Sequence, residues 1–268
     1  MQGRGVGTPG SEKARAYILS RFKAIGLAPV GERFEHAFSF TRRDGSTAQG
    51  VNLLARINGS KPGKVMVVTA HYDHLGVRNG EIYNGADDNA SGVAGLLAVA
   101  EAFKAKPPKH DVILAVVDAE EGGLRGARAF AAAPPVPRES IALNVNFDML
   151  SKNAKNELFV AGASASPVLR PILERVAATA PVVLKLGHDT DADGPQNNWT
   201  SQSDHYAFAE KGVPWVYFGV EDHPEYHRPS DDFATIPQDF FKRSVATVMK
   251  ASQALEASLD VIAKGAGR

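Results

Sequence analysis

Residues 64–74, KVMVVTAHYDH, predict a buried β-strand that ends in a cluster of polar side chains. The first seven residues are mostly apolar and rich in valine, a pattern typical of a strand covered on both faces. Three later stretches have the same form: DVILAVV at 111–117, IALNVNF at 141–147 and PWVYFGV at 214–220. Each of them also leads into residues that can bind a metal or carry a proton.

Predicted helices alternate with these strands. The first runs from Ser11, a possible N-cap, to Gly26, and the others cover residues 91–103, 123–132, 166–178, 203–211 and 238–263. Such alternation indicates a largely parallel sheet covered by helices on both faces. Strand-like residues 33–40 and 51–57 flank the turn Asp44-Gly45 and should add antiparallel strands. We therefore predict an α/β fold, a three-layer αβα sandwich with a mixed sheet, in which residues 1–268 form a single domain.

Composition excludes several classes of protein and of site. The 268 residues include 30 Lys and Arg against 30 Asp and Glu, so the basic excess of a nucleic-acid-binding protein is missing. The chain contains no cysteine, which excludes disulfides, thiolate zinc sites and a cysteine nucleophile. No apolar run reaches the length of a membrane span, and the first residues do not resemble a signal peptide. A metal site would have to use His, Asp and Glu.

Such residues follow every predicted strand of the central sheet. In open α/β sheets, binding sites form beyond the carboxyl ends of the strands, so these side chains should converge. Burying several carboxylates together without cations is costly, and a His/Asp/Glu set without thiolates is typical of catalytic zinc. The alternative interpretation is that loops are simply polar. It suffices for any single residue, but it explains the ordered set poorly.

The ordered motifs resemble the M28 family of zinc exopeptidases over nearly the whole chain. They are HYDH at 71–74, GADDNASG at 85–92, DAEEGGLRGA at 118–127, NFDM at 146–149, SDHYAF at 203–208 and EYHRPSDD at 225–232. The resemblance implies an aminopeptidase that acts on peptides with a free N-terminus and holds two Zn²⁺ per chain, for which Co²⁺ or Mn²⁺ can substitute. It also implies a secreted or periplasmic location, and a protein without an inserted protease-associated domain.

Carried over to this sequence, the resemblance assigns five metal ligands: His71 and Asp148 to one zinc, Glu121 and His227 to the other, and Asp88, rather than Asp87, as the bridge. It makes Glu120 the general acid and base, free of the metal, and it implies a cis peptide between Asp88 and Asn89.

Further residues are predicted to orient the ligands and the substrate. Asp73 should accept the second imidazole N–H of His71 and fix its tautomer. Glu120 and Asp148 can receive the α-amino group of the substrate. Tyr226 is a candidate oxyanion donor, with a packed loop tyrosine as the alternative interpretation. Gln202 would contact substrate where many relatives have Arg, whereas His74 is given a supporting rather than a ligating role.

Three alternatives stay open. The first is a glutaminyl cyclase, which shares the fold and works with a single zinc, and the second is a non-catalytic binding module on the same fold. The complete set of ligands and the general base favour the peptidase over both. The third concerns Asp189, Asp191 and Asp193, which match the first half of a Ca²⁺ loop. Thr200 stands at its twelfth position, where Glu is usual, so a solvated acidic loop is the better interpretation.

Overall fold

The computed structural model describes residues 1–42 and 44–267. The strands are β1 (Ala28–Pro29), β2 (Glu35–Thr41), β3 (Thr47–Ile57), β4 (Val65–His71), β5 (Gly76–Arg78), β6 (Glu81–Tyr83), β7 (Asp111–Val117), β8 (Ile141–Phe147), β9 (Glu157–Ala161), β10 (Val183–Leu186) and β11 (Trp215–Gly219). The helices are α1 (Pro9–Ile25), α2 (Gly92–Ala105), α3 (Arg125–Ala132), α4 (Arg170–Ala177), α5 (His205–Ala209), α6 (Gln238–Ala257) and α7 (Leu259–Gly265). Within the described ranges, no helix has the length and apolarity needed to cross a bilayer.

Nine strands form one mixed sheet in the order β1-β3-β7-β4-β8-β11-β9-β10, with β2 paired to β3. At its centre β4 runs parallel to both β7 and β8, and β8 runs parallel to β11. The N-terminal strands β1, β2 and β3 add antiparallel pairs on one side. On the other side β9 pairs antiparallel with β11. The predicted mixed, largely parallel sheet is confirmed.

Helices cover both faces of this sheet, and the alternation of side chains along β4 explains how. Met66 and Val68 pack into a large apolar cluster with α1, α2, α6 and α7. Their neighbours Val65 and Val67 point to the opposite face and pack with α3 and α5. Since successive side chains of a strand face opposite ways, a continuous apolar run needs cover on both sides. The predicted three-layer αβα sandwich is confirmed.

The structure departs from the predicted elements in several places. Five strands are absent from the sequence prediction because each has only two to five residues: β1, β5, β6, β9 and β10. The predicted helix 238–263 is two helices that meet at Ser258, whose φ of −98° and ψ of 5° interrupt the regular turn. The apolar pattern continues across Ser258 and therefore does not reveal the break.

Candidate active site

The predicted metal ligands come together at the carboxyl edge of the sheet. They lie at or just beyond the ends of β4 (His71), β7 (Glu121), β8 (Asp148) and β11 (His227), with Asp88 in the turn that leads into α2. The peptide between Asp88 and Asn89 is cis. Because the four strands are mutually parallel, their carboxyl ends meet and side chains far apart in sequence become neighbours.

The first donor group consists of His71, Asp88 and Asp148. The Nε2 atom of His71 lies 3.2 Å from Oδ1 of Asp148 and 3.4 Å from Oδ1 of Asp88. All three residues are buried, and their donor atoms lie within 4.8 Å of one another. The Oδ2 atom of Asp148 accepts a hydrogen bond of 2.6 Å from Ser203 Oγ, which fixes the carboxylate plane. These three donors can surround one metal ion.

The second donor group lies on the other side of Asp88. The Nε2 atom of His227 is 3.0 Å from Oδ2 of Asp88 and 3.4 Å from Oε2 of Glu121. The Nδ1 atom of His74 is 2.7 Å from Oε1 of Glu121, and His74, Asp88 and Glu121 also bring donor atoms within 4.8 Å of one another. The two carboxylate oxygens of Asp88 therefore face two different donor groups.

Asp73 contacts both the ring of His71 and the backbone of the Glu120-Glu121 pair. Its carboxylate accepts hydrogen bonds from the backbone N–H groups of Glu120 and Glu121, at 3.0 and 3.3 Å. The ring of His71 donates from Nδ1 to the backbone carbonyl of Asp73 at 3.2 Å, whereas the carboxylate is 3.7 Å away. The partner of the imidazole is thus the carbonyl rather than the expected side chain. Either acceptor leaves Nε2 of His71 free to bind a metal.

The charges of the site suit divalent cations. Burial raises the pKa of Glu120 well above its usual value, and the negative charges of Asp204 and Asp148 add to the shift that His71 opposes. Burial likewise raises the pKa of Asp148 against the opposing effect of His71. For Asp88 the contacts with His227 and His71 outweigh burial and lower the pKa. Imidazole and carboxylate donors gathered in this way fit zinc, which would offset their negative charge.

A small cavity opens directly onto both donor groups. Tyr226 faces it with its ring stacked on that of His227, at 3.9 Å between centroids. Gln202 also faces it and donates from Nε2 to the carbonyl of Gln196 at 3.3 Å. The remaining lining residues are Asp88, Glu120, Glu121, Asp148, Met149, Trp199, Tyr217, Val220, Asp222 and His227. A substrate in this cavity would contact the ligands, Glu120 and several aromatic rings at once.

Comparison with known proteins identifies the family. The model of peptidase family M28 matches residues 52–252, three quarters of the chain. The chain belongs to peptidase family M28. A probable zinc metalloprotease of Pyrenophora teres f. teres is 26% identical over 87% of this chain and 54% of its own length. The aminopeptidase YwaD of Bacillus subtilis is 24% identical over 80% of this chain and 48% of its own. The chain thus spans about half the length of these two relatives.

The fold of this family member is also similar to that of solved structures. The crystal structure of the glutaminyl cyclase of Porphyromonas gingivalis matches with a TM-score of 0.77, at 18% sequence identity. The match covers 93% of this chain and 91% of the cyclase. Similarity at this level of identity concerns the fold alone.

Arg4 is a residue of the site that the sequence analysis missed. Its buried guanidinium donates from Nε to the carbonyl of Tyr72 at 2.6 Å, and from Nη2 to those of Gly85 at 2.9 Å and Asp88 at 3.4 Å. A further bond runs from Nη1 to the carbonyl of Asn84. Arg4 thereby joins the end of β4 to the turn that carries Asp88. Nothing in the sequence near Arg4 signals this role, because all four acceptors are backbone groups.

The three aspartates considered for calcium do not converge on one point. Asp189 accepts hydrogen bonds from Ser164 and the backbone of Gly162, and Asp193 accepts two from Thr190. Asp191 accepts one from the Asn198 side chain. The carboxylate of Asp189 is bound to the loop after β9, whereas Asp191 and Asp193 are bonded within residues 190–198. The arrangement therefore matches the solvated acidic loop better than the calcium loop.

Asp204 lies buried beneath the first donor group, and neither of its carboxylate oxygens accepts a hydrogen bond from another described residue. Burial raises the pKa of Asp204 to about 8; the charge of His71 opposes this shift, and the negative charges of Asp148 and Asp73 add to it. In the unfolded chain the same carboxyl ionises near pH 4. The stability that the neutral Asp204 carboxyl contributes to the folded state is therefore fully present below about pH 4, and it is lost as the pH rises through about 8.

We expect Asp204→Asn to remove the loss of folding stability that the ionisation of Asp204 causes as the pH rises. In chelator-treated protein, the free energy of unfolding of the variant should fall less between about pH 5 and pH 9 than that of the parent chain. Urea titrations across the pH range measure it. Asp239→Asn, which changes an exposed carboxylate on α6, is the matched control and should follow the parent. Parallel curves for Asp204→Asn and the parent would contradict the ionisation of Asp204 in this range.

Proposed function

We propose that this chain is a zinc aminopeptidase with two Zn²⁺ per chain, in which residues 1–268 form a single catalytic domain. The observation that carries the proposal is the position of Asp88, whose Oδ1 lies 3.4 Å from His71 Nε2 and whose Oδ2 lies 3.0 Å from His227 Nε2. One carboxylate between two donor groups is what a pair of metals about 3.5–4 Å apart requires. In this proposal His71 and Asp148 hold one zinc, and Glu121 and His227 hold the other.

Glu120 is the proposed general acid and base. When bound, the two ions supply an acidified water and polarise the carbonyl of the bond to be cleaved. Glu120 accepts a proton from that water and passes it to the departing amine, which requires a carboxylate that faces the cavity but does not bind metal. The backbone N–H of Glu120 donates to the carboxylate of Asp73, which holds the backbone of Glu120 in place beyond the end of β7.

The same cavity supports recognition of a free N-terminus. Glu120 and Asp148 both face it, and their negative charges can receive an α-amino group. Tyr226 is proposed as the donor to the oxyanion, and Gln202 as a further substrate contact. Met149, Trp199 and Val220 provide the apolar part of a lining that is otherwise mostly polar, and an apolar N-terminal side chain would pack against them.

The relatives support the peptidase over its alternatives. One is named an aminopeptidase and another a zinc metalloprotease. The chain itself contains every residue proposed as a ligand or as the base. The secreted or periplasmic location implied by the resemblance is part of the same proposal.

Glutaminyl cyclase is the second candidate, because a solved structure of that enzyme has this fold. That activity uses a single zinc, whereas Asp88 here lies between two donor groups. The number of metals bound therefore separates the two candidates.

The test combines metal analysis with a substrate panel. We expect about two zinc ions per chain and cleavage of aminoacyl p-nitroanilides that a chelator abolishes and added zinc restores. The same substrates with an acetylated amino group should remain intact. One metal per chain together with cyclisation of N-terminal glutaminyl peptides would instead assign the cyclase. A lack of chelator-sensitive cleavage would overturn the peptidase.

A further inference from the structure

His74 has a fixed position beside the second donor group. Its side chain is fully buried, and its ring lies so close to Gly85 that a Cβ atom there would come within 2.5 Å of it. Gly85 also has a φ of +56°, a conformation that favours glycine. The backbone N–H of His74 donates to the carbonyl of Arg4 at 3.4 Å. The ring therefore has little freedom to turn away from the site.

The nearest polar neighbour of the ring is Glu121. His74 Nδ1 lies 2.7 Å from Glu121 Oε1, compared with 3.7 Å from Asp88 Oδ2. Among the described residues, neither ring nitrogen of His74 nor Oε1 of Glu121 makes an aligned hydrogen bond, so the 2.7 Å contact between Nδ1 and Oε1 is close but not aligned. Buried polar atoms without partners are costly, so the short approach between these two atoms needs an explanation.

The distance between His74 Nδ1 and Glu121 Oε1 indicates whether His74 holds Glu121 in place or is itself a ligand of the second metal. Two donors on one tetrahedral zinc, each about 2.0–2.2 Å from the ion, lie roughly 3.3 Å apart. The 2.7 Å between His74 Nδ1 and Glu121 Oε1 is shorter than that, and shorter than the 3.0–3.4 Å between the donor atoms assigned to a shared metal. It lies in the range of a hydrogen-bond distance. The other oxygen of Glu121, Oε2, faces His227. The two oxygens of Glu121 thus have different partners, with one oxygen left for the metal.

We propose that His74 is a positioning residue: a small turn of the Glu121 carboxylate aligns the 2.7 Å contact, so that Nδ1 donates to Oε1 and Oε2 is directed toward the second metal. The inference rests on the proposed function, because it concerns the affinity of that second metal. Without this donor the carboxylate of Glu121 can rotate, and each binding event must first order it. Loss of a group that orients a metal ligand typically lowers metal affinity by about 10–100-fold.

Two amide substitutions test the position of the donor. In His74→Asn the amide nitrogen lies near the place of Nδ1, whereas in His74→Gln it lies near that of Nε2. We expect His74→Gln and His74→Leu to bind one zinc as the parent does and the second about 10–100-fold more weakly, with His74→Asn within a few fold of the parent. Calorimetric zinc titration of metal-free protein measures both affinities. His36→Leu, at a half-buried histidine on β2 outside the site, is the control.

Visible absorption of the Co²⁺-saturated proteins supplies the second measurement. We expect the band positions of His74→Leu at saturation to match those of the parent, because the ligands are unchanged. A changed spectrum would overturn the proposal by making His74 a ligand, as would parental affinity in His74→Leu or equal losses in the Asn and Gln variants. If the parent itself bound one zinc, the proposed function would fail. Two zinc ions in the parent with unaltered variants would refute only the role of His74.

Discussion

Replacing Glu120 by glutamine is expected to lower kcat by about 10²–10⁴-fold while both metal ions remain bound. The amide has nearly the shape of the carboxylate and can still accept a hydrogen bond, but it cannot take up the proton of the attacking water. Because Glu120 is proposed to lie outside both donor groups, its loss should not change the zinc content. Stopped assays on an aminoacyl p-nitroanilide measure kcat, and metal analysis of the same preparation measures the zinc content.

The neighbouring residue provides the matched control. Glu121→Gln removes a charged metal ligand and should lower the zinc content, with activity falling as a consequence. Addition of excess zinc should then restore part of the activity of Glu121→Gln and none of that of Glu120→Gln. The reverse pattern, with metal lost from Glu120→Gln and turnover retained, would mean that the roles of these adjacent glutamates are exchanged.

Asp88→Ala is expected to weaken zinc binding at both positions, each by more than about 100-fold. The size follows because Asp88 is proposed as a ligand, and even groups that only orient a ligand contribute about 10–100-fold. A single substitution should affect both metals because the two carboxylate oxygens face His71 and His227 separately. Competition titration with a zinc-binding dye resolves the two affinities.

Single-site variants serve as controls for this bridging role. His227→Ala should weaken only the second zinc, and Asp148→Ala only the first. An Asp88→Ala protein that retains one zinc with parental affinity would show that Asp88 does not bridge. Thermal unfolding of each metal-free variant checks that the fold survives, since Asp88 lies in a turn whose backbone is held by Arg4 and by Asp231.

The central strands and the polar residues that follow them could be predicted from the sequence, whereas the edges of the sheet could not. Residues 112–117 of β7 are all apolar, so burial on both faces is the only reasonable interpretation of this run. Strand β10 has four residues with partly exposed side chains, and its pairing with β9 depends on neighbours far away in sequence. Short edge strands carry too weak a pattern to be predicted locally.

The supporting contacts of the site likewise depend on tertiary structure. Arg4 donates to four backbone carbonyl groups. Because every residue has such a carbonyl, these contacts cannot be predicted from the types of side chain in the sequence. Asp73 was expected to support His71 with its carboxylate, but that carboxylate accepts the N–H groups of Glu120 and Glu121 instead. Which of two nearby acceptors a ring chooses depends on differences of less than 1 Å.

The sequence by itself determined the class of fold, the family and the types of side chain available for a metal, because burial patterns and ordered motifs are local properties of the chain. A chain without cysteine can offer only nitrogen and oxygen ligands, whatever its fold. The tertiary structure decided which of these side chains lie together in each donor group. The division of Asp88 between His71 and His227, and the approach of His74 to Glu121, arise only when the ends of β4 and β7, the turn before α2 and the loop after β11 meet at one edge of the sheet. Distances across that edge depend on packing throughout the molecule, which no short segment contains.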